Sequence, residues 1–82
     1  MWEERKSPSR LERRFEFDNY QQSSQFMKDI DSLCKENKIY PNISFGSKFV
    51  SLTIFLDQEE ISKREKEFTT KINNKFTNLI SK

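Results

Sequence analysis

The sequence predicts an α+β fold in which a small antiparallel sheet carries two helices on one face, in the order β-α-β-β-α. Three observations predict it. Residues 11–17 alternate, with Leu11, Arg13, Phe15 and Phe17 pointing one way and Glu12, Arg14 and Glu16 the other, the pattern of a half-buried strand. Phe26, Met27, Ile30, Leu33 and Cys34 recur at the spacing of one helix face, and Phe68, Ile72, Phe76, Leu79 and Ile80 do so again near the C-terminus. Between these two runs, Ile43 and Phe45, the pair Gly46-Ser47 and the alternating stretch Lys48 to Leu56 spell a hairpin.

Each element has its own punctuation. Residues 1–10 mix charges with Pro8 and two serines and show no period, so they read as a mobile N-terminal arm in which only Trp2 can dock. Residues 11–82 then form a single domain. Asn19 caps a first helix expected over 20–37, which must stop ahead of Tyr40-Pro41 because a residue before proline is pushed out of the helical region. Gly at the first central position of the hairpin fits a type II′ turn, pairing Phe45 with Lys48 and Ile43 with Val50. Val50, Leu52, Ile54 and Leu56 then share a face, leaving Phe49, Ser51, Thr53 and Phe55 on the other. After Asp57-Gln58-Glu59-Glu60, Ser62 and Glu65 form an S-x-x-E capping box for the second helix. Acidic residues in that link suit a helix start, and Cys34 reads as a small core residue.

Composition narrows the function. The chain has 82 residues, 33% hydrophobic and 34% charged, with eight Phe, two Tyr and one Trp. Those aromatics favour a folded module, and a core this small favours association with a second copy. There is no histidine, which removes the usual general base near neutral pH, the Ser-His and Cys-His relays and the commonest metal ligand. A single Cys excludes a cysteine-rich metal site and an internal disulfide, and points to a cytoplasmic protein. One Gly excludes the glycine-rich phosphate loops. No metal or cofactor is expected. A net charge of +2 does not argue for nucleic acid, and no apolar run is long enough for a membrane span or a secretory signal.

Four sets of residues together resemble a family: Phe15-Glu16-Phe17-Asp18-Asn19-Tyr20, the helical Phe26, Pro41-Asn42-Ile43, and Val50-Ser51-Leu52-Thr53-Ile54. Their order and separation are similar to those of the pterin-4a-carbinolamine dehydratases from about Leu11 to Phe76. The resemblance implies a pterin dehydratase-like sheet with helices on one face, dimeric or tetrameric. It also implies an active site with His-His-Pro at the start of the hairpin and Thr-His at its end. Here those places hold Ile39-Tyr40-Pro41 and Leu56-Asp57, so only the proline remains. Dehydrating a carbinolamine needs a proton donor for the departing hydroxyl and a base for the ring-nitrogen proton. Ile39 is neither, a tyrosine of reference pKa near ~10 is a poor base, and an aspartate near ~3.9 is a poor acid. Ile39, Tyr40 and Asp57 therefore mark a degenerate catalytic site.

Histidine-poor members of the family act as RuBisCO assembly factors, one type being carboxysome-associated, and this short chain resembles that branch. The resemblance implies a non-catalytic chaperone that holds RuBisCO large subunits, works as a homodimer and contributes to carbon fixation. Its partner-binding candidates are Tyr40, Phe49 and Phe55 as apolar anchors and Lys71 and Lys75 as a charged rim. The last two belong to a basic helix, with Lys63, Arg64, Lys66 and Lys82 against Glu65 and Glu67. The alternatives are an active dehydratase working through Asp57 and Tyr40, or a dimerisation cofactor for another regulator.

Overall fold

The computed structural model describes residues 2–57 and 60–81; the expectations placed on Gln58, Glu59 and Lys82 lie outside them. The elements are β1 (Glu3–Arg5), β2 (Arg10–Glu16), α1 (Tyr20–Asn37), β3 (Asn42–Phe45), β4 (Phe49–Phe55) and α2 (Lys63–Ile80). They form one antiparallel sheet in the order β1-β2-β4-β3 with both helices on the same face. From Arg10 onward this is the expected β-α-β-β-α order. Neither helix is long and apolar enough to cross a membrane.

The core lies between the sheet and the helices. Leu11 and Phe15 of β2, Val50, Leu52 and Ile54 of β4, Phe26 and Ile30 of α1, and Phe68 and Ile72 of α2 are all buried. Cys34 joins them, and burial, helped by the Asp31 carboxylate, raises its thiol pKa above the ordinary value. Asn19 accepts a hydrogen bond from Gln22 N at 2.9 Å, as its capping role requires. Ser62 and Glu65 exchange the reciprocal bonds of a capping box, at 3.2 and 2.9 Å. The buried Ser23 hydroxyl reaches the Tyr20 and Ser47 carbonyls at 3.0 and 2.9 Å, which joins the start of α1 to the hairpin turn.

Two expectations are corrected. The segment read as a mobile arm carries β1, which pairs with β2 through Glu3↔Glu12, Glu4↔Leu11 and Arg5↔Arg10. Its three charged, exposed residues carry no alternation to mark a strand, and its anchor is remote: Trp2 Nε1 donates to Asn73 Oδ1 on α2 at 2.8 Å. The hairpin register is the second correction. Phe45 pairs with Val50 and Ile43 with Leu52, two residues from the expected register. Gly46 does not take a positive φ, so the turn is not type II′; Gly46 N instead donates to Phe49 O at 3.0 Å across a wider loop. A shift of two preserves side-chain parity, so the buried face of β4 is the one expected.

The first helix stops at Asn37, earlier than the proline requires. Lys38 turns the chain with a left-handed φ of 56°, which a side chain with a Cβ adopts at a cost. Arg64 offsets that cost: its guanidinium donates to the carbonyls of Asn37 and Lys38 at 2.6 and 2.8 Å, closing the end of α1 from α2.

Arg13 is the one charge on the core face of β2. Its guanidinium lies 4.4 Å from the Phe15 ring centroid and 5.4 Å from that of Phe76, and donates to Asn73 Oδ1 at 2.7 Å. Burial lowers its pKa from the ordinary value, but a guanidinium stays charged. Asn73 Oδ1 thus receives both Trp2 and Arg13. Asn73→Ala should lower the unfolding free energy by about 1–2 kcal/mol in a urea titration, because it leaves two donors unmatched. Asn73→Asp should cost less or nothing, since a carboxylate accepts both bonds and pairs with Arg13; equal losses in the two variants would contradict this account.

Candidate functional site

The places where the resemblance puts catalytic groups lie at one end of the sheet, where β3 begins and β4 ends. Ile39, Leu56 and the nearby Ile61 turn inward and pack against the core. Tyr40 points out and is 71% exposed, and Asp57 is exposed as well. Leu56 N donates to Ser9 O at 3.0 Å, so the turn between β1 and β2 closes this end. The arrangement supplies apolar filling and two solvated side chains rather than an enclosed acid–base pair. Among the described residues, no group of three His, Cys, Asp or Glu side chains is placed to hold a metal.

Phe49 and Phe55 stand on the face of the sheet away from the helices, at opposite ends of β4. Phe55 is 49% exposed and lies opposite Arg10. Phe49 is half-buried because the Arg14 guanidinium covers it, 4.1 Å from the ring centroid. On its other side the ring fills the space above Gly46: a Cβ built there would meet Phe49 Cδ1 at 2.9 Å. The single glycine of the chain is therefore needed for close approach and not for an unusual φ. Between the two rings the face is small and polar, with Ser44, Ser51 and Thr53.

Lys71 and Lys75 are exposed on α2, in the helical layer, and so stand on the other side of the sheet from Phe49 and Phe55. Lys71 Nζ is 3.4 Å from Asn37 Oδ1 at the end of α1, and Lys75 borders a groove with Gln25 and Asp29. The structure thus joins Tyr40 and Phe55 at one end of the sheet, but does not join the lysines to the aromatic face.

Sequence reasoning missed a third surface. β3 is an edge strand that the helices do not cover, so its inward-facing Ile43 and Phe45 remain exposed, Phe45 by 64%. Tyr20, 65% exposed, and Met27 of α1 flank them, and Tyr20, Ser23, Ser24, Met27, Phe45 and Gly46 line a cleft of about 140 Å³. Alternation shows which face a residue takes; it does not show whether a helix reaches that far.

Comparison with known proteins accords with this geometry. The model of the family "Pterin 4 alpha carbinolamine dehydratase" matches residues 1–75. No curated protein sequence matches the chain. Among solved structures, the chain is similar to a pterin dehydratase-like protein identified as a RuBisCO assembly factor in the alpha-carboxysome. That match has 28% identity and a TM-score of 0.84, and covers 92% of this chain and 88% of the other. It also shares its fold with a transcriptional coactivator/pterin dehydratase from Brucella melitensis, at 15% identity and a TM-score of 0.79 over 90% of this chain and 80% of that one.

Gly46→Ala should push the Phe49 ring off the turn and away from Arg14, at a cost of about 1–3 kcal/mol in unfolding free energy. Combining it with Phe49→Ala should recover most of that loss, and strictly additive losses in the double variant would refute the contact.

Proposed function

The chain belongs to the pterin 4 alpha carbinolamine dehydratase family, and from that premise we propose that it is a non-catalytic assembly factor for RuBisCO. The observation that carries the proposal is the content of the degenerate site. Where dehydration needs a proton donor and a base, the chain offers Ile39, Tyr40 and Asp57, with Ile39, Leu56 and Ile61 packed inward. The similarity to a protein identified as a RuBisCO assembly factor in the alpha-carboxysome supports RuBisCO as the partner and a carboxysome-associated setting.

On this reading the open face of the sheet does the work. Phe55 and the Arg14-covered Phe49 are its apolar anchors, with Tyr40 at the sheet end, and they shield large-subunit surface until correct pairing displaces the factor. Lys71 and Lys75 add attraction from the helical layer, which acts on encounter rate more than on residence. The uncovered strip of Tyr20, Ile43 and Phe45 supports a homodimer that buries it.

Two measurements test the proposal. A spectroscopic assay should find no carbinolamine dehydration above background, whereas turnover abolished by Asp57→Asn would overturn the reading. In a RuBisCO assembly assay, the Phe49→Ala, Phe55→Ala double variant, shown to be folded by circular dichroism, should lose affinity about thirtyfold or more. Lys75→Ala should weaken assistance modestly and mainly at low salt. Wild-type assistance from the folded double variant would remove this face from the mechanism. For the dimer, light scattering at about ten micromolar should give twice the monomer mass, and Phe45→Ser should return the monomer.

A further inference from the structure

β1 is paired to β2 with its charges in the wrong register. On the open face, Glu3 stands directly opposite Glu12 and Arg5 directly opposite Arg10, and like charges facing each other across a sheet oppose pairing. The ion pairs of this corner run along a strand, Arg5–Glu3 at 3.1 Å and Arg10–Glu12 at 2.7 Å, or diagonally, Arg5–Glu12 at 3.5 Å. Among the described residues none runs straight across. The inner face of β1 is no better matched, since an exposed Glu4 lies opposite the buried Leu11. The turn that follows holds Ser7 at a left-handed φ of 65°. All three β1 residues are exposed, and the grip on the core comes from Trp2, edge-on to Phe15 at 5.9 Å and bonded to Asn73.

The strand underneath is regular. Along its open face β2 reads Arg10, Glu12, Arg14, Glu16, an alternation of plus and minus. A strand presenting acid, base and acid opposite Arg10, Glu12 and Arg14 would make every direct cross-strand pair attractive. An apolar residue opposite Leu11 would match that buried side chain where the charged Glu4 does not, and an aromatic opposite Arg13 would take the place of Trp2. We propose that β1 is a displaceable plug, and that the β2 edge docks an extended segment of a partner protein with this alternation. Main-chain bonds to the edge supply affinity and the alternating charges supply selectivity. The inference is independent of the assembly-factor reading, because its test uses a synthetic peptide and no RuBisCO.

Trp2 is the only tryptophan, so its fluorescence reports on the plug directly. The full chain is titrated with an acetylated, Ser-flanked peptide containing Glu-Phe-Lys-Val-Glu, which is antiparallel-complementary to β2. Its charge-reversed counterpart, Lys-Phe-Glu-Val-Lys, is the control. The complementary peptide should shift Trp2 emission saturably to the red, and the reversed peptide should bind about tenfold more weakly. The variant Glu3→Lys, Arg5→Glu gives β1 the missing complementarity; it should bind the first peptide about tenfold more weakly and keep its blue emission. Equal affinity for the two peptides, binding without a Trp2 shift, or unchanged affinity in the variant would each overturn the proposal. A red shift that grows with protein concentration alone would assign the edge to a second copy, and would overturn it too.

Discussion

Phe15 and Phe17 of β2 and its end, Phe26 of α1 and Phe76 of α2 meet at the point where the sheet and both helices converge. Their ring centroids are 4.8 to 6.1 Å apart, in tilted or edge-on pairs. A chain of 82 residues has little interior, and large aromatic side chains bury the most apolar area per residue. The cluster fixes three elements at once, and the rest follows from it. Val50, Leu52 and Ile54 are drawn under the helices, and the opposite face of β4 is turned to solvent. Arg13, Trp2 and Asn73 sit at its rim, so the first strand of the chain is joined to the last helix beside the same rings.

What could be read from the sequence was local. The alternation of β2, the Asn19 cap and the Ser62–Glu65 box each depend on residues a few positions apart, and each stands where those residues place it. The losses are non-local. Nothing near Trp2 announces Asn73, 71 residues away. Parity cannot distinguish hairpin registers that differ by two, and a glycine suggests a turn type when its purpose here is room for the Phe49 ring. The candidate site divides in the same way. Ile39, Tyr40 and Asp57 come to one end of the sheet because strand order alone places them there, whereas Lys71 and Lys75 fall on the far side from Phe49 and Phe55 because helix and sheet faces are set by packing. The uncovered strip on β3 needed knowledge of where α1 ends sideways.

The positions that the family resemblance marks as catalytic stand apart from the side chains that hold the fold together. The groups that dehydration would need occupy strand ends, outside the aromatic cluster, so replacing them leaves the core intact. Ile39 and Leu56 add apolar contact to the core at these strand ends. Outside the core the structure presents an open sheet face, an uncovered edge at β3 and a mismatched pairing at β1.

The bonds from Arg64 to the Asn37 and Lys38 carbonyls have a consequence for biosynthesis. In a chain that ends before residue 64 the Asn37 and Lys38 carbonyls lack this partner, and nothing on α2 offsets the left-handed turn at Lys38. The segment from Ile39 onward is then free to pivot. Arg64 ties both carbonyls at the end of α1 to α2, just ahead of the segment that leads into β3. A nascent or truncated chain that ends before Arg64 therefore lacks the hinge pin that aims the hairpin at β2.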